Sequence, residues 1–343
     1  MRISDFDYDL PGDLIAQEPS VERDASQMLV VDRRNRTVAD RKFTDLVDYL
    51  LPSDLLVLNN TRVFPARLFG QTETKANLEI FLVREITELI WEVLARPAKR
   101  LKPGKSIDFT KGLTARVCER TDDGKVIIQF DDNNDLNDLI DELGKTPLPP
   151  YIKRARIGID GDRERYQTVY AKSRGAIAAP TAGLHFSPDT LNTIREKGVS
   201  IAEVTLHVGY GTFEPVRVDD LSEHAVLPEH YEIDTETAEL LTRARQEGRR
   251  IIAIGTTTTR ALESNMAEFG EFTAGKHLAA LTIVPGFEFS AVDALLTNFH
   301  LPKSSLLVLT STFGRHELIM DAYRHAVAAR YRFYSYGDCM FIF

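Results

Sequence analysis

The chain has 343 residues, 43 % hydrophobic and 27 % charged, which supports about two globular domains and excludes a disordered chain. Its formal net charge of −9 excludes a surface that is basic throughout, so any nucleic-acid contact must use local patches. Cys118 and Cys339 give neither a disulfide framework nor a metal spacing, the N-terminus lacks the apolar run of a signal peptide, and no stretch is long enough to span a bilayer. A reducing, cytoplasmic setting without membrane contact is expected.

In chain order, residues 55–58 (Leu-Leu-Val-Leu) read as the first buried strand, followed by Asn59-Asn60-Thr61-Arg62. Between residues 63 and 150 the pattern changes to short strand candidates at 78–83, 91–95, 106–109, 113–117 and 126–130. Pro103-Gly104 and Asp122-Asp123-Gly124 are turn signals between them, so a small β-barrel is expected. Leu136, Leu139, Ile140 and Leu143 mark a helix stopped by Gly144, and Pro147-Leu148-Pro149-Pro150 is a stiff boundary. Residues 162–171 admit a helix. Helices are expected at 188–197 (capped by Ser187), 235–247 (capped by Asp234) and 315–330, and buried strands at 251–254 and 306–309. The expected architecture is a layered mixed-sheet α/β domain, built from 1–62 and 151–343, with a small β-barrel domain inserted at 63–150.

Several segments carry groups that do chemistry. Pro180-Thr181-Ala182-Gly183-Leu184-His185-Phe186 joins small residues to a helix start, where Gly183 permits close approach of a ligand; from the residues alone, a tight loop with a structural histidine is the favoured reading. Residues 201–208 alternate, with Glu203, Thr205 and His207 on one face and Gly209-Tyr210-Gly211-Thr212-Phe213 beyond. This is either a solvated sheet face or a presented acid–base row. Gly255, Thr256, Thr257, Thr258, Thr259 and Arg260 read as a ligand-binding loop between the strand at 251–254 and a helix at 261–268, with Arg260 suited to a carboxylate or phosphate. Asn298 and His300 sit in a loop before the strand at 306–309. The histidine spacing gives no metal motif, so no metal is invoked. Basic clusters occur at Lys99, Arg100, Lys102 and Lys105, and at Lys153, Arg154 and Arg156 with Arg163 and Arg165 behind. Charge alone reads them as solvated surface.

Many ordered blocks resemble one family, the S-adenosylmethionine:tRNA ribosyltransferase-isomerases, over essentially the whole chain. They include Asp5-Phe6-Asp7-Tyr8-Asp9-Leu10-Pro11, Ile15-Ala16-Gln17-Glu18-Pro19, Asn59-Asn60-Thr61-Arg62-Val63 and Leu148-Pro149-Pro150-Tyr151-Ile152. Further blocks are Asp162-Arg163-Glu164-Arg165-Tyr166-Gln167-Thr168-Val169-Tyr170, Ala178 to Phe186, Thr205-Leu206-His207-Val208-Gly209, Leu296 to Ser304, and the tail Tyr331 to Asp338. Two places depart from the family pattern. A serine is usual within the threonine run, and an aromatic is usual where Val284 stands, so Val284 is left out of the site.

The resemblance implies an α/β domain with an inserted barrel. It implies S-adenosylmethionine as a consumed co-substrate rather than a cofactor, and as partner a tRNA with 7-aminomethyl-7-deazaguanine in the anticodon. The products would be epoxyqueuosine-tRNA, adenine and methionine. A monomer is compatible with it. On this basis His185 and His207 are expected to transfer protons, with Glu203 tuning His207 or pairing with the sulfonium. Asn298 and His300 would orient base or ribose, and Thr256 to Thr259 with Arg260 would hold the methionine carboxylate. Thr181, Gly183 and Gly209 would line the site. Arg62, Arg67, Lys99, Arg100, Lys102, Lys153, Arg154 and Arg165 would meet tRNA phosphates. A methyltransferase using the same donor and a non-catalytic RNA-binding module are the rival readings; the first expects a glycine-rich turn after the first strand, which this chain lacks.

Overall fold

A computed structural model of the chain describes residues 1–131, 136–154, 161–209, 211 and 216–343. Arg156, Tyr210, Thr212 and Phe213 lie outside the described residues.

The first stretch supplies β1 (Gln27–Asp32), β2 (Thr37–Lys42), α1 (Leu46–Tyr49), β3 (Leu55–Asn59) and β4 (Thr61–Val63). Then come β5 (Arg67–Thr72), β6 (Asn77–Thr87), β7 (Ile90–Arg96), β8 (Ser106–Phe109), β9 (Thr114–Arg120), β10 (Val126–Phe130) and α2 (Leu136–Leu143). The remainder holds α3 (Asp162–Arg165), β11 (Ser173–Ala176), α4 (Pro188–Glu196), β12 (Ser200–Leu206), β13 (Glu229–Ile233), α5 (Thr235–Gln246) and β14 (Ile251–Ile254). It ends with α6 (Thr256–Phe269), β15 (Gly275–Ala279), β16 (Ala294–Asn298), α7 (Ser305–Gly314), α8 (His316–Ala328) and β17 (Cys339–Ile342).

One nine-stranded mixed sheet runs in the order β15-β13-β12-β3-β14-β16-β17-β1-β2. Within it β12, β3, β14 and β16 are mutually parallel neighbours. Their side chains alternate between two cores. Leu55, Val57, Ile251, Ala253 and Leu295 pack under α5, α6, α7 and α8. Leu56, Leu58, Ile252, Ile254 and Leu296 pack against Leu46, Leu191 and Ile194 from α1 and α4. Covering on both faces is why these strands read as continuous apolar runs. The helix caps fall where expected: the Ser187 hydroxyl accepts from Thr190 N at 3.1 Å, and the Asp234 carboxylate accepts from Thr237 N at 2.7 Å.

The other unit is a closed barrel of strands β10-β7-β6-β5-β8-β9, all antiparallel neighbours, filled by residues such as Leu68, Ile80, Val93, Val117 and Ile128. The fold is therefore the expected layered α/β sheet with a small β-barrel.

Four local expectations need correction. Residues 306–309 are not a strand but lie in α7, started by the Ser304 side chain accepting from Leu307 N at 3.2 Å. A short apolar run buried on all sides has no periodicity to separate helix from strand. The buried strand in this region is β16, over residues read as a loop. The helix proposed at 162–171 is only the single turn α3. Strand β5 was missed because Gly70 interrupts its pattern: a Cβ there would stand 3.0 Å from Asp108 O and from the Phe109 ring.

Glu263 ties α6 to the segment leading into β16. Its buried carboxylate accepts from the backbone N–H of Ser290, Ala291 and Val292, each at 3.0 Å. Glu263→Ala strands these amides and is expected to cost about 3 kcal/mol in urea denaturation, whereas Glu263→Gln keeps one acceptor and loses less. Equal midpoints for the alanine variant and the wild type would show that water replaces the carboxylate.

Candidate active site

The parallel strands β12, β3, β14 and β16 end together at Leu206, Asn59, Ile254 and Asn298. Ligands of such sheets collect outside the carboxyl ends. Asn59 fixes this edge: its Nδ2 donates to Leu206 O at 3.0 Å, and its Oδ1 accepts from Leu206 N at 3.0 Å and Thr61 N at 3.1 Å. Beyond the edge opens a cavity of about 580 Å3, walled by Thr181, Thr256, Thr257, Asn298, His300, Tyr151, Tyr166, Tyr334 and Ser335.

The start of α6 forms one wall. The four threonines are not a loop before the helix; they are its first turn. Thr258 and Thr259 are fully buried, their hydroxyls donating back to Ile254 O (2.7 Å) and Gly255 O (3.2 Å), so only Thr256 and Thr257 face the cavity. Gly255 stands at the N-cap without a side chain to cap the helix. First-turn amides have no acceptor within their own helix, so this wall offers N–H donors and the positive end of the helix dipole to an anion.

Arg260 does not supply a free cation for that anion. It is buried, its Nη1 on Glu229 Oε2 at 2.6 Å, its Nη2 on Ala279 O (2.8 Å) and Leu227 O (3.3 Å), and its Nε on Leu281 O (3.4 Å). A guanidinium saturated in this way is a structural clamp. It borders a second cavity of about 520 Å3, which shares Thr256, Thr257 and Leu306 with the first. Gly209 is drawn to the same clamp, its N–H donating to Glu229 Oε1 at 3.0 Å.

The histidines divide. His185 is buried and bonded at both ring nitrogens: Nδ1 lies 2.7 Å from Ser26 Oγ, and Nε2 lies 3.1 Å from Asn298 Nδ2. The same Nδ2 faces the carbonyls of Tyr334 (3.3 Å) and Asp338 (3.4 Å), which fixes the amide orientation. His185 Nε2 is therefore an acceptor, Nδ1 carries the proton, and the ring is neutral. It positions Asn298 rather than exchanging protons with a ligand. Asn298 Oδ1 is left buried with no partner among the described residues, beside the cavity. His300 lines the cavity, with Nε2 3.0 Å from Thr297 Oγ1. His207 sits off the cavity wall, on the opposite side from its neighbour Val208. Its Nδ1 is 2.8 Å from Thr61 Oγ1, and its ring lies flat on Gly175, where a Cβ would come within 2.7 Å of three ring atoms. Burial holds its pKa below the ordinary value.

Two further expectations fail. Of the two roles expected of Glu203, it is the one beside His207 that fails: the carboxylate instead pairs with Lys172 Nζ at 2.7 Å and accepts from Asn60 Nδ2 at 3.1 Å. Gly183 gives close approach not to a ligand but to Tyr170, whose hydroxyl would stand 2.0 Å from a Cβ there. Val284 packs on the main core and lines neither cavity. The cavity residues that sequence reasoning did not single out are Tyr151, Tyr166, Tyr334 and Ser335, although all four lie inside the family-like blocks.

Of the basic residues, Arg62, Lys99, Arg100, Lys102 and Lys153 are exposed, with no carboxylate within 4.0 Å among the described residues. Arg67 is held by Glu79 at 2.6 Å and Arg154 by Asp162 at 3.2 Å, so their charges are neutralised locally. Arg165 is anchored on the carbonyls of Ser20 (2.6 Å) and Val21 (3.0 Å).

Burial pushes His185 down to about 4, with Arg332 repelling its cationic form as well, and pushes His300 down to about 3. The unfolded chain, with histidine near 6.5, therefore binds more protons than the folded one below that pH. Stability is complete above pH 6.5 and falls as pH drops towards 4, by about 1.4 kcal/mol per pH unit for each buried histidine. Denaturant titrations at pH 6.5 and 5.5 should show His300→Asn losing less over that step than the wild type, and equal losses would contradict the assignment.

A family model described as queuosine biosynthesis protein matches residues 3–342. A protein of Citrifermentans bemidjiense named S-adenosylmethionine:tRNA ribosyltransferase-isomerase is 50 % identical over 344 residues, covering 100 % of both chains. A protein of the same name from Staphylococcus haemolyticus is 48 % identical, again with 100 % of each chain covered. The crystal structure of S-adenosylmethionine tRNA ribosyltransferase from Thermotoga maritima shares 38 % identity at a TM-score of 0.57, covering 99 % of this chain and 100 % of that one. The chain belongs to the queuosine biosynthesis protein family.

Proposed function

We propose that this chain transfers and isomerises the ribosyl group of S-adenosylmethionine onto 7-aminomethyl-7-deazaguanine in a tRNA anticodon, releasing adenine and methionine. The observation that supports this best is one cavity with an uncapped helix start on one wall and the unpartnered Asn298 Oδ1 on the other. The helix start suits the methionine carboxylate, through the Thr256 and Thr257 amides. Asn298 Oδ1 can only accept, and the N–H groups of an amino-purine or a 7-deazaguanine, like a ribose hydroxyl, can donate to it. Tyr151 and Tyr334, edge to face at 3.9 Å between ring centres, offer aromatic surface to the same rings.

The donor's sulfonium acidifies the ribose 5′ protons, so a base can remove one and adenine can leave. The tRNA amine then bonds to the sugar, and methionine departs as the epoxide closes. The groups assigned to these proton movements are the ring nitrogens of His207 and His300 that have no partner among the described residues. His300 lines the cavity, whereas His207 does not, so the role of His207 requires the bound substrates to extend beyond the cavity towards β4 and β11. Both rings are neutral near pH 7, because burial disfavours their charged forms, so each needs charge from the bound substrates to hold a proton. Glu203 keeps Lys172 and Asn60 in place. In this reading the barrel at 63–150 is an inserted domain between the two parts of a catalytic domain, and the donor is consumed, so no separate cofactor is required. No helix among the described residues is long and apolar enough to cross a membrane, which suits a cytoplasmic enzyme acting on tRNA.

A methyltransferase would leave S-adenosylhomocysteine. Incubation with donor and tRNA should instead yield adenine and methionine in equal amounts, and S-adenosylhomocysteine as the product would overturn the reading. His207→Asn, in a variant that melts like the wild type, should slow adenine release by about 10²- to 10⁴-fold. Release at the wild-type rate would remove His207 from the reaction.

A further inference from the structure

Behind His185 lies a third, open pocket that the reaction described above does not use, lined by Arg23, Arg165, Ser20, Ser26, His185 and Tyr336 among others. Its cations are held rigid without being neutralised. Arg23 donates to the carbonyls of Glu164 (2.9 Å) and Leu184 (3.4 Å), and Arg165 to those of Ser20 (2.6 Å) and Val21 (3.0 Å). Arg332 reaches the same loop, donating to Ser20 Oγ at 2.8 Å and to Glu18 O. None of the three guanidiniums has a carboxylate within 4.0 Å among the described residues, although the Asp338 carboxylate accepts from the backbone N–H of Arg332 at 2.7 Å. Burial first, and then the neighbouring Arg165 charge, hold the pKa of Arg23 below the usual range, with Glu164 and Tyr336 acting in the opposite direction.

Two polar atoms here await a partner. Tyr336 is 4 % exposed and its hydroxyl is buried with no hydrogen bond among the described residues, and the Nε of Arg165 is in the same condition. A buried donor left unpaired in the free protein is costly, and like charges crowded together add to that cost. An oxyanion entering the pocket would relieve both. The pocket also shares Ser335 with the main cavity, and His185 joins the two through its bond to Asn298. One nucleotide has this layout, with a base in one compartment and its phosphate in the next.

We propose that this pocket is a phosphodiester site: Arg23, Arg165 and the Tyr336 hydroxyl hold the RNA backbone phosphate adjoining the nucleotide whose base fills the main cavity, and Arg332 fixes the Ser20 side of the pocket. The inference rests on the tRNA reading above. A methionine carboxylate would suit a single cation, and the α6 amides in the main cavity already provide for it. Two guanidiniums lining one pocket, with a third behind its Ser20 wall, match a phosphate on a polyanion.

The test uses the full chain and a tRNA anticodon stem-loop, titrated by fluorescence anisotropy without donor over a range of salt. Tyr336→Phe removes only the unpaired hydroxyl, so it should melt at or above the wild-type temperature while binding RNA about 5- to 10-fold more weakly. Arg23→Gln should bind about 10-fold more weakly and lower the slope of log K against log salt by about 0.7 to 0.9, and Arg23→Lys should restore the slope. The KM for S-adenosylmethionine should stay unchanged in all three. If RNA affinity is unchanged in Tyr336→Phe and Arg23→Gln, the site is not a phosphate site. If instead the KM for S-adenosylmethionine rises with RNA affinity intact, the pocket takes the donor's carboxylate and the proposal falls. A wild type that binds the stem-loop through these residues but releases no adenine would sink the catalytic reading alone.

Discussion

The side-chain amide of Asn298 is held from three directions, and the rest of the site is arranged around that constraint. Its Nδ2 faces His185 Nε2 and the carbonyls of Tyr334 and Asp338. These contacts join the end of β16, the 3-10 turn at Thr181–His185 and the C-terminal tail, and through Ser26 they reach the start of β1. The carbonyl oxygen of the same amide, an acceptor, stays buried without a partner among the described residues on a residue that lines the cavity. The neutral state of His185 follows from the same geometry. A protonated ring would set an N–H against an N–H, so burial and hydrogen bonding act in one direction.

Charge is distributed by a similar logic. The cations with the strongest local anchors, Arg260 on Glu229 and Arg250 on Asp54, clamp strands together and are neutralised in place. Breaking such a buried pair leaves an uncompensated charge, which makes each one a firm structural tie and a poor ligand group. The cations available to a polyanion are instead those resting on backbone carbonyls, around Ser20 and Glu164, and those in water, such as Lys99 and Lys102. A chain with a net charge of −9 can therefore present local positive surface without contradiction.

What could be read from the sequence depended on whether one residue or a pair carried the information. The runs at 55–58 and 251–254, the caps Ser187 and Asp234, and the helix of α2 are local signals, and the structure has them where they were read. The run at 306–309 failed because full burial erases the period that separates helix from strand. The threonines failed differently. Thr258 and Thr259 bond to carbonyls four residues back, so a β-branched polar run is compatible with a first turn once its hydroxyls turn inward. In the site, the residue types were legible and their partners were not. Nothing in the sequence announces that Arg260 meets Glu229, that Glu203 meets Lys172, or that Gly175 makes room for His207.

The small parallel pair β4 and β11 connects the two units of the fold. Thr61 of β4 holds His207 Nδ1, and Gly175 of β11 forms the floor under its ring. On the barrel side, Arg174 of β11 pairs with Asp141 of α2 and lays its guanidinium 5.0 Å over the Phe64 ring. Arg163, beside α2, donates to Asp141 O at 2.7 Å. On β11 the residue that seats the barrel, Arg174, thus stands next to the one under the His207 ring, Gly175. On a strand, neighbouring residues cannot shift independently, because one pleated backbone carries both faces. The position of the barrel and the orientation of His207 are therefore set by a single short pair of strands.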